Sequence, residues 1–185
     1  MKLDRAVLIV GECPPISSPL LPPLGGIAGV RLRVLAGIGN DAEMRRLFDC
    51  VNLFDSPQPR WNSEAAHVRA TTIGICCKAD LVVMLGARVR SAFGAIRRSL
   101  YVAPLFGFNR PILGMSVPHP SGRCRELNNE DVRAKTSRLL RLAFLVAKGE
   151  ELRDVMCTEH GSDRVFAPEI KPERRLYECG CEVLT

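Results

Sequence analysis

Short apolar runs that stop at turn-forming residues recur along this chain, and each is followed by a stretch of helical character. Ala6-Val7-Leu8-Ile9-Val10 stops at Gly11, Cys50-Val51-Asn52-Leu53-Phe54 enters a turn-rich loop, Leu81–Leu85 stops at Gly86, and Pro111–Val117 stops at Pro118. The first and third runs contain no polar residue, so strands built from them must be covered on both faces. Ile27–Ile38, Asp41–Phe48, Ser63–Cys77 and Ala87–Leu100 read as helices. Asn129 or Glu130 opens a longer one to about Lys148, with Leu139, Leu142 and Val146 at i, i+3, i+7 spacing. Strands alternating with helices require crossover connections, which make the sheet parallel and place helices on both faces. The expected fold class is α/β: three layers, α/β/α, around a central four-stranded, mainly parallel sheet.

A chain of 185 residues has room for one ordinary domain, and 46% apolar content supplies a core without staples. The helical pattern ends near residue 150, so residues 1–150 are expected to form the domain and residues 151–185 an irregular C-terminal extension. No apolar stretch approaches the roughly 18 residues of a membrane span, and Met1–Arg5 lead into the first strand without a signal-peptide pattern. The expectation is a soluble cytoplasmic protein with no membrane partner, and a monomer. Its 26 basic residues exceed its 20 acidic ones by +6, which favours a polyanionic partner, nucleic acid first. In that compartment the eight cysteines read as reduced thiols or metal ligands rather than disulfides.

In open parallel sheets ligands sit beyond the carboxyl ends of the strands. Those ends are Gly11-Glu12-Cys13-Pro14, Asn52, Gly86 and His119-Pro120-Ser121-Gly122. Taken in order, they resemble the uracil-DNA glycosylase superfamily, in particular its Gly-Glu-x-Pro branch. Val10-Gly11-Glu12-Cys13-Pro14 is similar to the water-activating loop. The segment Pro23-Leu24-Gly25-Gly26-Ile27-Ala28-Gly29-Val30-Arg31-Leu32 is similar to the Pro-Phe-x-Gly-x-Ala-Gly-x-x-Leu entry to the first helix. Val51-Asn52-Leu53 resembles the strand whose Asn reads the uracil edge, and Pro118-His119-Pro120-Ser121-Gly122-Arg123 the His-Pro-Ser loop. The likeness spans roughly Ala6 to Ala147 and implies an enzyme that removes uracil or a modified pyrimidine from DNA.

The resemblance assigns roles by residue. Glu12 would position or activate water, and His119 would stabilise negative charge on the leaving base; these are the expected catalytic residues. Cys13, Leu24 and Asn52 would form the base pocket, Asn52 pairing with the pyrimidine O4 and N3–H. Ser121, Gly122, Arg123 and Arg125 would contact DNA, with Arg123 as a wedge in the base stack. The chain departs from the pattern in places. Cys13 stands where the best-known relatives have Asp or Asn, and Leu24 where the family often places a base-stacking Phe. No cysteine precedes the first strand, and adjacent Cys76 and Cys77 cannot hold the branch's iron–sulfur cluster alone. No organic cofactor is expected. Cys157, His160, Cys179 and Cys181 form a C-x2-H and a C-x-C pair that would suit structural zinc, with free thiols as the plainer reading.

The same residues leave two other readings open. One is a DNA or flipped-base binder that does not hydrolyse; the other is a small-molecule enzyme on a generic α/β sheet.

Overall fold

One sheet organises the molecule. The computed structural model describes residues 6–95, 100–105, 108, 110, 112–121 and 124–150. Strands β1 (Val7–Gly11), β2 (Asp49–Asn52), β3 (Leu81–Leu85), β4 (Tyr101–Leu105) and β5 (Ile112–Val117) lie in the order β2-β1-β3-β5-β4. All neighbours pair in parallel except β4, which runs antiparallel to β5 from Tyr101↔Ser116 to Leu105↔Ile112.

Alternate residues of the central strands serve opposite cores, as the two-residue strand period requires. Val7 and Ile9 of β1, with Leu81, Val83 and Leu85 of β3, meet helices α1 (Ile27–Ala36), α2 (Asp41–Leu47) and α5 (Glu130–Ala147). Leu8, Val10, Val82 and Met84 meet α3 (Ser63–Cys76) and α4 (Ala87–Ala92) on the other face. The α/β layering with helices on both faces is thus observed. Leu8, Leu81, Met84 and Leu85 are fully buried, and each such side chain contributes roughly 1.5–3 kcal/mol before entropy is subtracted.

Asparagine starts three of the helices. The Asn40 side chain accepts from the Glu43 amide at 2.8 Å, Asn62 from Ala65 at 3.0 Å and Asn129 from Val132 at 3.2 Å, each satisfying an otherwise orphaned N–H.

Among the described residues the sheet has five strands, not the four expected. The helix expected over Ala87–Leu100 ends at Ala92, where Phe93 caps it and Gly94 turns to φ 66° with its N–H on the Ser91 carbonyl. The chain then supplies β4. Pro104 sits within that strand, which is tolerated because β4 is a sheet edge where a missing N–H costs no ladder bond. The first helix stops at Ala36 rather than Ile38, and the second strand covers Asp49–Asn52 rather than Cys50–Phe54. The C-terminal extension, with Cys157, His160, Cys179 and Cys181, lies outside the described residues, as do Gly122 and Arg123. No helix among the described residues is long and apolar enough to cross a membrane.

Candidate functional site

The route of the chain opens a crevice beside β1. From β1 it passes through α1 and α2 on one face to β2, then returns through α3 on the other face to β3, on the far side of β1. Connections that leave in opposite directions part at the carboxyl ends of β1 and β3, the usual place for a ligand in such sheets. A cleft of about 230 Å³ lies there, lined by Glu12, Gly86, Arg88, Arg90, His119 and Cys124 among others. Its principal side chains therefore come from three adjacent parallel strand ends.

Glu12 is held by its backbone. The β1–β2 ladder continues past both strands, with Leu53 N–H on the Gly11 carbonyl and Phe54 N–H on the Glu12 carbonyl, each at 3.0 Å. Its side chain is 24% exposed, and one oxygen accepts from Arg88 Nη1 at 3.3 Å. The Arg88 guanidinium lies 5.4 Å from the centre of the Trp61 ring, which meets Phe54 edge-on at 5.6 Å. Arg88 is thereby oriented from two sides, by a carboxylate and by an aromatic face.

His119 is half-buried between the buried Pro118 and Pro120. The Ser121 amide donates to its Nδ1 at 3.1 Å, which makes Nδ1 the acceptor and leaves the proton of the neutral ring on Nε2. Burial pushes the pKa of His119 below its usual value, and the negative charge of Glu12, the smaller influence, pulls the other way. The ring is thus favoured as a neutral donor, suited to hydrogen-bond a developing anion. Gly86 keeps the two groups in one cavity. Its φ of 92° suits glycine, and a Cβ there would stand 3.1 Å from His119 Cβ and 3.7 Å from a Glu12 oxygen.

A depressed histidine pKa sets the sign of a pH effect. The unfolded chain binds the proton first, so the contribution is complete above about pH 6.5 and is lost as pH falls towards the lower folded value. Urea unfolding of wild type and His119→Gln across this range is expected to show a larger acid-side loss for wild type. Equal losses would mean that the ring is solvated.

The structure brings Glu12 and His119 together and puts the other expected residues nearby or elsewhere. Asn52 pairs in register with Gly11, and its side-chain oxygen lies where a Cβ on Gly11 would approach to 2.6 Å. It flanks the cleft without lining it. Cys13 is half-buried in the following loop. Leu24 is 8% exposed and packs in the core beneath α1, away from the cleft lining. The Ser121 amide is committed to His119, and Arg125 is exposed on a 3₁₀ turn (Arg125–Asn128) whose neighbours Cys124 and Glu126 reach the cleft.

Sequence reasoning missed Arg88, Arg90 and Trp61. The basic side of the fourth helix was a visible signal for the arginines, but the Glu12 contact spans 76 positions and depends on the β1–β3 pairing. Arg90 donates to the buried Ser116 hydroxyl at 3.4 Å, tying α4 to β5 behind the cleft. Among the described residues, no group of three or more His, Cys, Asp or Glu is arranged to hold a metal ion. Comparison with protein-family models and with curated proteins finds no match to this chain.

Proposed function

We propose that the protein is a uracil-DNA-glycosylase-like hydrolase that cleaves the N-glycosidic bond of uracil or a modified pyrimidine in DNA. The observation that carries this reading is that a carboxylate, Glu12, and a neutral histidine donor, His119, line one cleft at the sheet's switch point. Glu12 takes a proton from water as the water oxygen bonds to C1′ of the sugar. The C1′–N1 bond breaks, its electron pair leaves with the base, and His119 Nε2–H stabilises the charge on the base O2. Asn52, on the neighbouring strand end, reads the pyrimidine edge. Supporting the DNA partner are the net charge of +6 and six basic residues against three acidic ones from Gly122 to Arg141.

Labelled oligonucleotides carrying uracil or modified pyrimidines test the reading directly, with abasic sites as the product sought. Release of no base from any of them would end it. Changing both Arg123 and Arg125 to Glu is expected to weaken DNA binding and flatten its salt dependence, because fewer counterions are released. Unchanged affinity at several salt concentrations would remove these two arginines from the interface.

The second reading is a binder that holds DNA or an extruded base without cleaving it. It is favoured by the ion pair that occupies one Glu12 oxygen, and by Cys13 where an acid or amide would orient water. DNA binding without base release would select it.

A further inference from the structure

Four contacts close a circuit that begins and ends on Glu12. Its backbone carbonyl accepts from the Phe54 N–H at 3.0 Å, and the Phe54 ring meets the Trp61 ring edge-on at 5.6 Å. Trp61 in turn carries the Arg88 guanidinium at 5.4 Å, and Arg88 Nη1 returns to Glu12 Oε2 at 3.3 Å. Phe54 and Trp61 are partly buried against the core on the α3–α4 face, which anchors the circuit. The root of Arg88 is fixed as well, because the Gly86 N–H just before α4 donates to the Val117 carbonyl at 2.8 Å.

Neither helix stability nor the ion pair by itself accounts for this arginine. Arg88 stands in the first turn of α4, the end at which a helix favours acids. Its side chain is 59% exposed, and its bond to Glu12 is longer than the roughly 2.7–2.9 Å of a tight charge-assisted contact, so the pair adds little to stability. What the circuit does fix is which oxygen of Glu12 is engaged. Oε2 is on Arg88, while Oε1 lies over Gly86, where a Cβ would stand 3.7 Å from it and 3.1 Å from His119 Cβ. The oxygen not bound to Arg88 is the one turned towards the glycine that His119 also approaches.

We propose that Arg88 is a positioning residue for Glu12: supported by Trp61, it holds Oε2 and so presents Oε1 to the water whose proton Glu12 takes. The inference rests on the hydrolytic reading above and names how its base is aimed. A glutamate stem has several staggered rotamers, and misplacing a reacting group by about 1 Å can cost on the order of 10²-fold in rate.

The test is a double-mutant cycle in the full chain, read by single-turnover base release from a uracil oligonucleotide with affinity measured alongside. Arg88→Ala is expected to slow release about 10–100-fold, with oligonucleotide affinity and urea midpoint close to wild type. In a Glu12→Gln background the same change should cost less than about twofold, because a residue that acts through Glu12 has nothing left to aim. Millimolar guanidinium chloride should restore part of the Arg88→Ala rate, where sodium chloride at equal ionic strength does not. Trp61 is the chain's one tryptophan, so its emission should change in Arg88→Ala and stay as in wild type in Glu12→Gln. Equal fractional losses in both backgrounds would overturn the proposal, since Arg88 would then act independently of Glu12. So would a loss confined to affinity, which would make Arg88 a phosphate contact, and so would faster release, which would make the ion pair a restraint on the base. Unaltered Trp61 emission in Arg88→Ala would break the circuit and overturn it too. If wild type releases no base, the hydrolytic reading falls and the proposal with it. If wild type releases base and the two losses are additive, the proposal alone falls.

Discussion

Glu12→Gln is expected to slow base release by about 10²–10⁴-fold, the usual cost of losing a general base. The amide keeps the shape of the carboxylate but cannot take the proton from water. It also ends the ion pair with Arg88, whose guanidinium keeps its contact with Trp61. DNA affinity should change little, because the substitution removes a negative charge near the phosphates rather than adding one. Single-turnover rates on a uracil oligonucleotide, with binding measured in parallel, make the comparison. Cys13→Ser should cost far less, since the half-buried thiol is not among the groups lining the cleft. If Cys13→Ser abolished turnover and Glu12→Gln did not, a thiol mechanism would replace the one proposed.

The second large effect concerns stability and is independent of the reaction. Gly29 lies in the first turn of α1, where a Cβ would come 1.7 Å from the Leu24 carbonyl oxygen and 2.9 Å from its carbon. Both are backbone atoms of a turn already held at positive φ, so they have no rotamer with which to yield. Gly29→Ala should cost roughly 1–3 kcal/mol or more, against a gain of only about 1 kcal/mol in helix propensity. Gly39→Ala is the control: its nearest neighbour would be a Glu43 oxygen at 3.6 Å, an ordinary contact, and its effect should stay within about 0.5 kcal/mol. Denaturant midpoints read both. Equal midpoints for the two variants would show that the Leu24 turn does not press on α1.

The strain at Leu24 also bears on what the resemblance to the glycosylase superfamily led one to expect. A residue in that position was expected to face the base. In this chain it anchors the loop to the core, and the exposed apolar residues of the same loop lie earlier, at Ile16 and Leu20. No periodicity distinguishes the three, because all lie in runs of one or two apolar residues broken by prolines. Which turn faces inward is settled by where α1 packs.

The parallel strands and most of the helices were legible because local pattern alone specifies them. Leu81–Leu85 is wholly apolar and stops at a glycine, and Asn62 and Asn129 mark helix starts through hydrogen bonds three residues long. Glu12 and His119 were legible for a related reason, since both follow directly from strand ends whose positions the pattern gives. What only the tertiary structure decided is how distant segments meet. Strand β4 was hidden because Pro104 interrupts a short run, and its pairing with β5 depends on an edge position that no local signal reports. Arg88 became part of the site only when β3 settled beside β1, and Trp61 only when the loop after β2 followed Glu12 across the ladder. Short-range geometry sets turns, caps and apolar runs residue by residue. Strand order and the contacts it creates arise from burying two faces of one sheet at once, a condition that the whole chain must satisfy together.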